Sequence, residues 1–308
     1  MLRASLLITS HGIDDVLLFP PINSGQKQIY LHHGIPLRGV KIHNGKGGLN
    51  SVDLFMKNVA SITYMISTSD WGAKQQQSNI PVFSDCLKVT GYPRNDMVYQ
   101  PTNSMLKQAI SRYSLDGYVI LYAPTWRKWV PTRFFPFDDF DLEQLAGFLR
   151  AHNMIVILRP HSVDTYRKQE EEFWESIRPF YDVIKPIGID EFPDTQLLMY
   201  RADCLVTDYS SIVYDYLLFN RPVMFIPYDK EEFESKMGGF IGAYDELTPG
   251  QKIHTQAKFF EYLELFQQGD DPHRTQRQAF CDIAHTYKDG NSCARVYQLM
   301  CETLEKRI

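Results

Sequence analysis

The sequence predicts an α/β fold in which a parallel sheet is covered by helices on both faces. Short runs of β-branched and apolar residues alternate with longer amphipathic stretches along most of the 308 residues. The alternation becomes a regular β-α-β-α-β succession between Gly117 and Asp229. Such a pattern is typical of parallel sheets, because parallel strands need a long crossover between them. The length allows two α/β domains or one large domain, since a domain usually has ~100–200 residues.

The predicted strands are short apolar segments that contain many β-branched residues. In chain order they are Ser5–Thr9, Ile29–His32, Ile62–Ser67, Tyr118–Ala123, Ile155–Leu158, Asp182–Ile184, Cys204–Thr207 and Val223–Ile226. The first segment could be mistaken for the core of a signal peptide. Its apolar stretch is only about five residues long, however, and such a core needs ~7–15. We therefore interpret it as a strand.

Helices are predicted where apolar residues recur at intervals of three and four. Asp141–His152 is the clearest case, because one stripe of it contains Leu142, Leu145, Phe148 and Leu149. The other predicted helices are Asp164–Phe180, Asp194–Arg201, Ile212–Phe219 and Ser292–Lys306. In the last of them, we expect the apolar face to consist of Val296, Tyr297, Met300 and Leu304.

The best candidate for a domain boundary is the segment Leu106–Gly117. Before it, the apolar runs are interrupted by loops rich in Gly, Asn, Ser and Gln, whereas the regular succession of strands and helices follows it. We therefore predict one domain over residues 1–110 and a second over residues 111–308.

Composition and charge exclude several classes of protein. Hydrophobic residues make up 44% and charged residues 22%, which is ordinary for a globular protein. A formal net charge of −5 disfavours binding to nucleic acid, which needs a clustered positive surface. No apolar run approaches the ~18 residues of a membrane span. The five cysteines form no Cys-x-x-Cys pair, which indicates structural thiols in a reducing compartment.

A metal site and a bound cofactor are not expected. The sequence has no His-Glu-x-x-His, no closely spaced cysteines and no Asp-x-Asp pair that could hold a nucleotide-bound cation. It also lacks a Gly-Lys-Ser/Thr phosphate loop and a Gly-x-Gly-x-x-Gly fingerprint.

The first candidate site segment is Tyr30–Arg38, where a predicted strand leads directly into His32, His33, a glycine and a proline. In an open α/β sheet, ligands bind beyond the carboxyl ends of the strands. The His33 imidazole would therefore lie where a general base is needed, and it can accept a hydroxyl proton near neutral pH. The alternative is a histidine that only stabilises a turn.

The second candidate segment is Leu158–His161, at the end of another apolar strand. The Arg159 guanidinium has a planar set of donors suited to phosphate, and His161 adds a donor or an acid. Arginine and histidine at a strand end also often only pair or cap. The interest of the segment is that it repeats the strand-then-histidine arrangement of the first.

The third candidate segment is Leu205–Asp215, in which a buried strand meets Ser210 and Ser211 at the start of a helix. Unpaired N–H groups and the helix dipole make such a start suitable for an anion. The alternative is simple capping by Ser210. Capping needs only one serine, so the pair favours phosphate binding.

Two further segments are ordinary loops when taken alone. One is Val119–Arg127, a strand that ends in Pro124 and Thr125, and the other is Gly91–Asp96, which carries Arg94 in a turn.

Together and in this order, the segments resemble the CDP-glycerol:poly(glycerophosphate) glycerophosphotransferase family, which primes and polymerises teichoic acids and related capsule polymers. Gly-Tyr-Pro-Arg-Asn-Asp and Tyr-Ala-Pro-Thr-Trp-Arg match without change, and Trp-His-Gly-Thr-Pro-Leu-Lys becomes His-His-Gly-Ile-Pro-Leu-Arg. The matching motifs span most of the chain: His32–Arg38, Gly91–Asp96, Tyr122–Arg127, Arg159–His161 and Thr207–Ser211 with Asp215.

The resemblance implies a GT-B-like architecture, in which two Rossmann-like domains face a cleft. The N-terminal one would be the acceptor domain, and the C-terminal one would bind the CDP donor. The implied catalytic residues are His33 as general base and His161 as stabiliser of charge on the phosphate. The implied donor-binding residues are His32, Gly34, Ile35, Pro36, Arg94, Pro124, Thr125, Arg159, Pro160, Ser210, Ser211 and Asp215.

The sequence departs from the family pattern in two ways. His32 and Ile35 replace the family's tryptophan and threonine, so the preference for donor or acceptor is expected to differ. The first histidine motif also lies only some thirty residues from Met1, whereas family members usually have several more strands before it. The N-terminal domain is therefore expected to be shortened.

The resemblance also implies the partners and the location of the protein. The donor would be CDP-glycerol or a similar CDP-polyol, and the acceptor would be a polymer or a lipid-linked chain. A lipid-linked acceptor implies a cytoplasmic protein that is peripheral on the inner face of the cell membrane. Basic residues near the first motif would either contribute to that association or form an ordinary solvated face; they are Arg38, Lys41, Lys46 and Lys57.

Two other functions are compatible with the residues. A GT-B glycosyltransferase that uses a nucleotide sugar would also need a helix start for the diphosphate. A non-catalytic protein that kept only the nucleotide site is the second alternative.

Overall fold

The predicted alternation of strands and helices is present in a computed structural model of the chain. The structure describes residues 4–10, 26–39, 62–80, 82, 84–99, 104–127, 129–161 and 171–305. The strands of this part of the chain are β1 (Leu6–Thr9), β2 (Lys27–Tyr30), β3 (Tyr64–Ser67), β4 (Leu87–Val89), β5 (Tyr118–Tyr122), β6 (Met154–Leu158), β7 (Ile184–Pro186), β8 (Cys204–Thr207), β9 (Val223–Phe225) and β10 (Gln251–Lys252).

The α-helices of the described residues lie between and after these strands. They are α1 (Asp70–Asn79), α2 (Ser104–Tyr113), α3 (Leu142–Ala151), α4 (Glu171–Ile177), α5 (Thr195–Arg201), α6 (Ile212–Tyr216), α7 (Lys230–Met237), α8 (Tyr244–Leu247), α9 (Gln256–Gln267), α10 (Arg274–Ala284) and α11 (Ser292–Glu305). Residues 164–170 of the predicted helix Asp164–Phe180 and residue 306 of the last predicted helix lie outside the described residues.

The strands form two parallel sheets. The first has four strands in the order β1-β2-β3-β4, and the second has six in the order β10-β9-β8-β5-β6-β7. In the second sheet the chain first builds outward from β5 through β6 to β7, and then returns to the other side of β5 with β8. The strand order therefore reverses between β5 and β8, which is where open α/β sheets bind their ligands.

The chain divides into two compact units. Unit 1 comprises residues 1–99, 236–241 and 281–308, and unit 2 comprises residues 100–235 and 242–280. The four-stranded sheet belongs to unit 1 and the six-stranded sheet to unit 2. The division into domains at residue 110 stays a prediction, and the units differ from it because residues 281–308 are grouped with residues 1–99.

β6 is an interior strand of the sheet of unit 2, and every residue in it is buried. A central strand of a parallel sheet has helices over both faces, so it needs apolar residues throughout. The predicted stripe of α3 is confirmed: Leu145 and Leu149 are fully buried, and Leu142 and Phe148 pack against the same core. Asp141 is the N-cap residue of α3, and its carboxylate accepts the N–H of Gln144 at 3.0 Å.

The apolar face predicted for the last helix is only partly confirmed: Val296 is buried, but two of the other predicted residues are exposed. Tyr297 and Leu304 are 66% and 40% exposed, whereas α11 buries Ser292, Val296, Leu299 and Thr303. These four positions recur at intervals of four, three and four, so they form one stripe along the helix. Two of them are polar, and for this reason apolarity alone selected a neighbouring row of side chains. The Thr303 hydroxyl donates to the Leu299 carbonyl and is thereby satisfied within the helix.

Several strands differ from their predicted bounds. β2 ends at Tyr30, so His32 lies beyond the strand. β7 starts at Ile184 and includes Pro186, which is tolerated because β7 is an edge strand. The strands β4 and β10 have three and two residues, none of them fully buried, and they were not predicted.

Candidate active site

The turn after β2 presents one histidine and buries the other. His32 has a left-handed backbone with φ 58°, which is uncommon for a residue other than glycine. Its Nδ1 accepts the N–H of Gly34 at 3.2 Å, so this nitrogen carries no proton. The rings of His32 and His33 stack at a centroid distance of 4.8 Å and an angle of 5°. His32 is 5% exposed and His33 is exposed, so His33 is the one accessible to a substrate.

Arg94 lies against this turn within unit 1. Its Nη1 donates to the carbonyl oxygen of His32 at 3.3 Å, and its guanidinium carbon lies 4.3 Å from the centre of the Tyr92 ring. Of the other predicted residues in the turn, Gly34 and Ile35 are buried and Pro36 is partly exposed. The Ile35 side chain is 1% exposed and contributes to packing.

In unit 2 the remaining predicted residues lie together at one edge of the six-stranded sheet. Pro124 and Thr125 follow β5, Arg159–His161 follow β6, and Ser210 and Ser211 follow β8. These strands are adjacent and parallel, so their carboxyl ends meet at the point where the strand order reverses. The ring centroids of Trp126 and His161 lie 6.0 Å apart, so the loops after β5 and β6 are neighbours.

An arginine that was not predicted lies beneath this edge. Arg127 is fully buried, and it bonds Asp208 at 2.7 Å and both carboxylate oxygens of Asp229 at 2.8 and 2.9 Å. Burial alone would lower the pKa of the Arg127 guanidinium, but the carboxylates of Asp208 and Asp229 outweigh burial and raise it. The guanidinium is therefore a permanent positive charge inside unit 2.

Asp208, which forms an ion pair with Arg127, connects the loop after β5 to the loop after β8. One of its oxygens accepts the N–H of Thr125 at 2.8 Å and the N–H of Tyr209, and the other accepts from Arg127. The loop after β5 is thus fixed relative to the loop after β8. The sequence signal for this pair was present, since Arg127 and Asp208 lie in two of the matching motifs, each shortly after a strand.

The Thr125 hydroxyl is a polar group at this edge that lacks a partner among the described residues. The residue is 8% exposed, and its Oγ1 has no hydrogen-bond partner among the described residues. A buried hydroxyl without a partner costs free energy, so such a group is a candidate for binding a ligand.

Arg159 makes contacts other than those expected. Its guanidinium donates to the carbonyl oxygens of Ile187 at 3.1 Å and Phe192 at 2.7 Å, and to the Thr195 hydroxyl at 3.0 Å. Burial lowers its pKa. The guanidinium thereby holds the loop after β7, and the predicted contact with phosphate stays a prediction that these bonds do not support. Pro160 and His161 continue the chain from this buried residue, with His161 exposed.

Ser210 and Ser211 make different contacts at the start of α6. Ser210 Oγ accepts the N–H of Ile212 at 3.4 Å, a long capping bond. Ser211 occupies the N-cap position of α6 with φ −66°, and its side chain makes no capping bond. Asp215 lies in the first turn of α6 and is 8% exposed. A negative charge there is stabilised by the helix dipole.

The described residues offer neither a cluster of metal ligands nor a membrane-spanning helix. They contain no group of three or more His, Cys, Asp or Glu side chains that could hold a metal ion. No helix in this part of the chain is long and apolar enough to cross a membrane.

Comparisons with known proteins agree with the motifs. The chain is 28% identical over 288 residues to a teichoic acid glycerol-phosphate transferase of Staphylococcus aureus, covering 89% of this chain and 70% of that protein. It is 30% identical over 227 residues to a teichoic acid poly(glycerol phosphate) polymerase of Bacillus subtilis, covering 70% of this chain but only 28% of the polymerase.

Among solved structures, the wall teichoic acid polymerase TagF is similar with a TM-score of 0.78, at 22% identity, over 99% of this chain and 74% of that one. At this identity the likeness shows the fold, and the GT-B-like class is confirmed. Residues 1–302 match the family model described as CDP-Glycerol:Poly(glycerophosphate) glycerophosphotransferase. The resemblance of the motifs is thereby confirmed, and the chain belongs to this family of transferases.

Proposed function

We propose that this enzyme transfers glycerol phosphate, or a related polyol phosphate, from CDP-glycerol or a similar CDP-polyol to a teichoic-acid-like or capsular polymer. The observation that carries the proposal is the convergence of Thr125, His161 and Ser211 at one sheet edge in a member of this family. Hydroxyls, an imidazole and the start of a helix are groups that hydrogen-bond a diphosphate.

In the proposed reaction an acceptor hydroxyl attacks the phosphorus next to glycerol. His33 takes the proton of that hydroxyl as the new P–O bond forms. The bond from this phosphorus to the oxygen shared with CMP breaks, and CMP leaves with that oxygen. His161 hydrogen-bonds the phosphate and stabilises its charge. Catalysis of this kind depends mainly on positioning and electrostatics.

The proposed residues form two sets. His32–Pro36 and Arg94 belong to unit 1, and the second set belongs to unit 2. Their assignment to a single reaction rests on the family. In unit 2, the Arg127–Asp208 pair would fix the loop after β5 relative to the loop after β8. The hydroxyls of Thr125 and of the two serines could then bind the same diphosphate. The unit 2 set is Pro124, Thr125, Arg159, Pro160, His161, Ser210, Ser211 and Asp215.

Release of CMP tests the proposal directly. The purified protein is incubated with CDP-glycerol or CDP-ribitol and with a membrane fraction as acceptor source, and CMP is measured by chromatography. We expect acceptor-dependent CMP from at least one CDP-polyol. Release of UDP or GDP from a nucleotide sugar would instead identify a glycosyltransferase. Binding of CDP without any turnover would identify a non-catalytic nucleotide-binding protein.

A lipid-linked acceptor would require the enzyme to work at the inner face of the cell membrane. We propose peripheral association there, to which Arg38 and three lysines outside the described residues would contribute. Flotation with anionic liposomes at low salt tests this association. Failure to float with the vesicles at low salt would count against it.

A further inference from the structure

We propose that Arg94 is a positioning residue that holds the turn presenting His33, and that it does not bind the donor. This inference rests on the function proposed for His33. It changes the role of Arg94 from a ligand of the nucleotide to a support of the general base.

The turn needs such a support because its backbone is strained. His32 has φ 58°, a conformation that costs free energy for a residue with a β-carbon. Strained conformations persist when surrounding contacts determine them. Two such contacts are the bond from the Gly34 N–H to His32 Nδ1 and the bond from Arg94 Nη1 to the His32 carbonyl.

The second bond acts directly on His33. The His32 carbonyl belongs to the peptide group that links His32 to His33, and this group is planar. Fixing the carbonyl oxygen therefore also fixes the plane from which the His33 backbone continues. A charged donor at 3.3 Å from this carbonyl oxygen supplies the restraint.

Arg94 is itself held by packed elements. Its guanidinium lies over the Tyr92 ring, which is 1% exposed. The Tyr92 hydroxyl accepts from Gln76 Nε2 at 2.8 Å, and the same nitrogen donates to the Ile66 carbonyl in β3 at 3.1 Å. A continuous series of contacts therefore connects the first sheet, α1, Tyr92 and Arg94 to the peptide group before His33.

The chemistry of the side chain also favours this role. A guanidinium can stack its face on an aromatic ring and donate hydrogen bonds from its edge at the same time. A lysine ammonium can do one or the other from a single point. Arg94→Lys should therefore keep the charge and lose the support.

Kinetics separate the two roles. Arg94→Lys and Arg94→Ala are compared with Arg112→Lys, an exposed arginine that also lies over a tyrosine ring. We expect both Arg94 variants to lower kcat about 10- to 100-fold with the KM for CDP-glycerol within about two-fold, because misplacing a catalytic group costs rate. Arg112→Lys should match the wild type. A KM raised about ten-fold or more at unchanged kcat would show that Arg94 binds the donor.

A second measurement does not depend on turnover. The ring signals of His33 are followed by ¹H–¹⁵N NMR and assigned with His33→Ala. In folded Arg94→Lys we expect the His33 signals to shift or broaden, while the His254 signals stay unchanged. Unchanged His33 signals in both Arg94 variants would overturn the inference. If the wild type releases no CMP while these signals move, the proposed function fails and the positioning of His33 stands.

Discussion

His33 and His161 are exposed histidines that follow β2 of the first sheet and β6 of the second. We predict that His33→Ala and His161→Ala each lower the turnover of CDP-glycerol at least ~10²-fold, the usual scale for losing a general acid or base. The measurement is acceptor-dependent CMP release. His254→Ala, at an exposed histidine outside the proposed site, is the control and should keep wild-type turnover. Near-wild-type CMP release by His33→Ala would show that His33 is not the general base.

Lys252 should make stability depend on pH. Burial lowers the pKa of its ammonium to about 8, although Asp245 acts in the opposite direction. Below pH 8 the lysine is charged in both states, and the folded state bears the cost of burying the charge. Between pH 8 and the ordinary pKa of 10.5, the unfolded state holds more protons. The contribution of Lys252 to stability therefore rises with pH in this window.

The variant Lys252→Met isolates this contribution. We expect the free energy of unfolding of the wild type, relative to Lys252→Met, to rise from pH 8 to pH 10, by no more than ~1.4 kcal/mol per pH unit. Urea denaturation at each pH measures it. Lys258→Met removes an exposed lysine paired with Glu261 and should show no such rise. A flat difference for Lys252→Met would mean that the ammonium keeps its proton throughout.

At the level of single residues, the sequence predicted positions better than contacts. His33, His161 and Ser211 follow strands as expected, because a residue after a strand is readable from local pattern. The carboxylate partners of Arg127 were not predicted. Asp208 and Asp229 lie 81 and 102 positions further along the chain, so only the order of the parallel strands brings them to Arg127.

The turn from β8 to α6 is the element whose backbone should bind phosphate. Ser211 has φ −66°, which a proline ring can adopt, so Ser211→Pro removes one N–H and also biases Ser210 away from helical geometry. We predict that Ser211→Pro weakens CDP binding more than Ser211→Ala, which leaves the backbone intact. Each neutral donor lost should cost ~0.5–1.5 kcal/mol, and up to ~3 kcal/mol when the partner is charged.

Cytidine is the matched ligand for this prediction because it has no phosphate. Calorimetry on folded variants should show weaker binding of CDP and CDP-glycerol, with a much smaller change for cytidine. Equal weakening of cytidine and CDP would mean that the serine turn is structural, and the phosphate site would have to lie elsewhere.

The Gly-Tyr-Pro-Arg-Asn-Asp segment also has a structural task at its last residue. Asp96 is 4% exposed and accepts the N–H groups of Ser292 at 2.9 Å and Cys293 at 2.7 Å, the first two residues of α11. These N–H groups have no partner inside the helix. Asp96 therefore caps α11 from a segment almost two hundred residues earlier.

We predict that Asp96→Ala lowers the free energy of unfolding by ~2 kcal/mol, because it removes two charge-assisted bonds and the favourable interaction with the helix dipole. Chemical denaturation measures the loss. Asp85→Ala, at an exposed aspartate of the same unit, is the control and should change stability by less than ~0.5 kcal/mol. Equal losses of unfolding free energy in the two variants would show that Asp96 does not stabilise α11 as a cap.

Among the elements, the buried strands and helix α3 were predicted, whereas the strands β4 and β10 and the helices α1, α2, α7, α8, α9 and α10 were not. The stripe of α3 and the buried strands β5, β6 and β8 follow from apolarity alone. The strands β4 and β10 lie at sheet edges and owe their conformation to a neighbour. The buried row of α11 includes Ser292 and Thr303, so the pattern of apolar residues alone does not identify it.

At the scale of the whole molecule, the compact units are not consecutive segments of the chain. Residues 281–308 follow unit 2 in the sequence but belong to unit 1. The Thr68 hydroxyl donates to the Ala284 carbonyl at 2.7 Å, and Asp96 caps α11. Contacts between the first and last parts of a chain leave no local pattern, so the sequence predicted a division into consecutive domains instead.

The same contacts predict what a chain ending at Phe280 would do. Its unit 1 would lose the Thr68 bond, the partner of Asp96 and the buried side chains of Val296 and Leu299, whose burial contributes ~1.5–3 kcal/mol each. We expect hydrogen exchange in β2 and β3 to become at least ~100-fold faster, while β5 and β6 in unit 2 keep their protection.

A full-length pair of variants controls for the truncation. Leu299→Ser changes a residue that is 9% exposed, and Tyr297→Ser changes a neighbour on the same helix that is 66% exposed. Leu299→Ser should speed exchange in β2 and β3 in the same direction as the truncation, because both weaken the packing of α11 on unit 1. Tyr297→Ser should leave these strands protected. Unchanged protection of β2 and β3 in the chain that ends at Phe280 would mean that unit 1 is stable without its C-terminal segment.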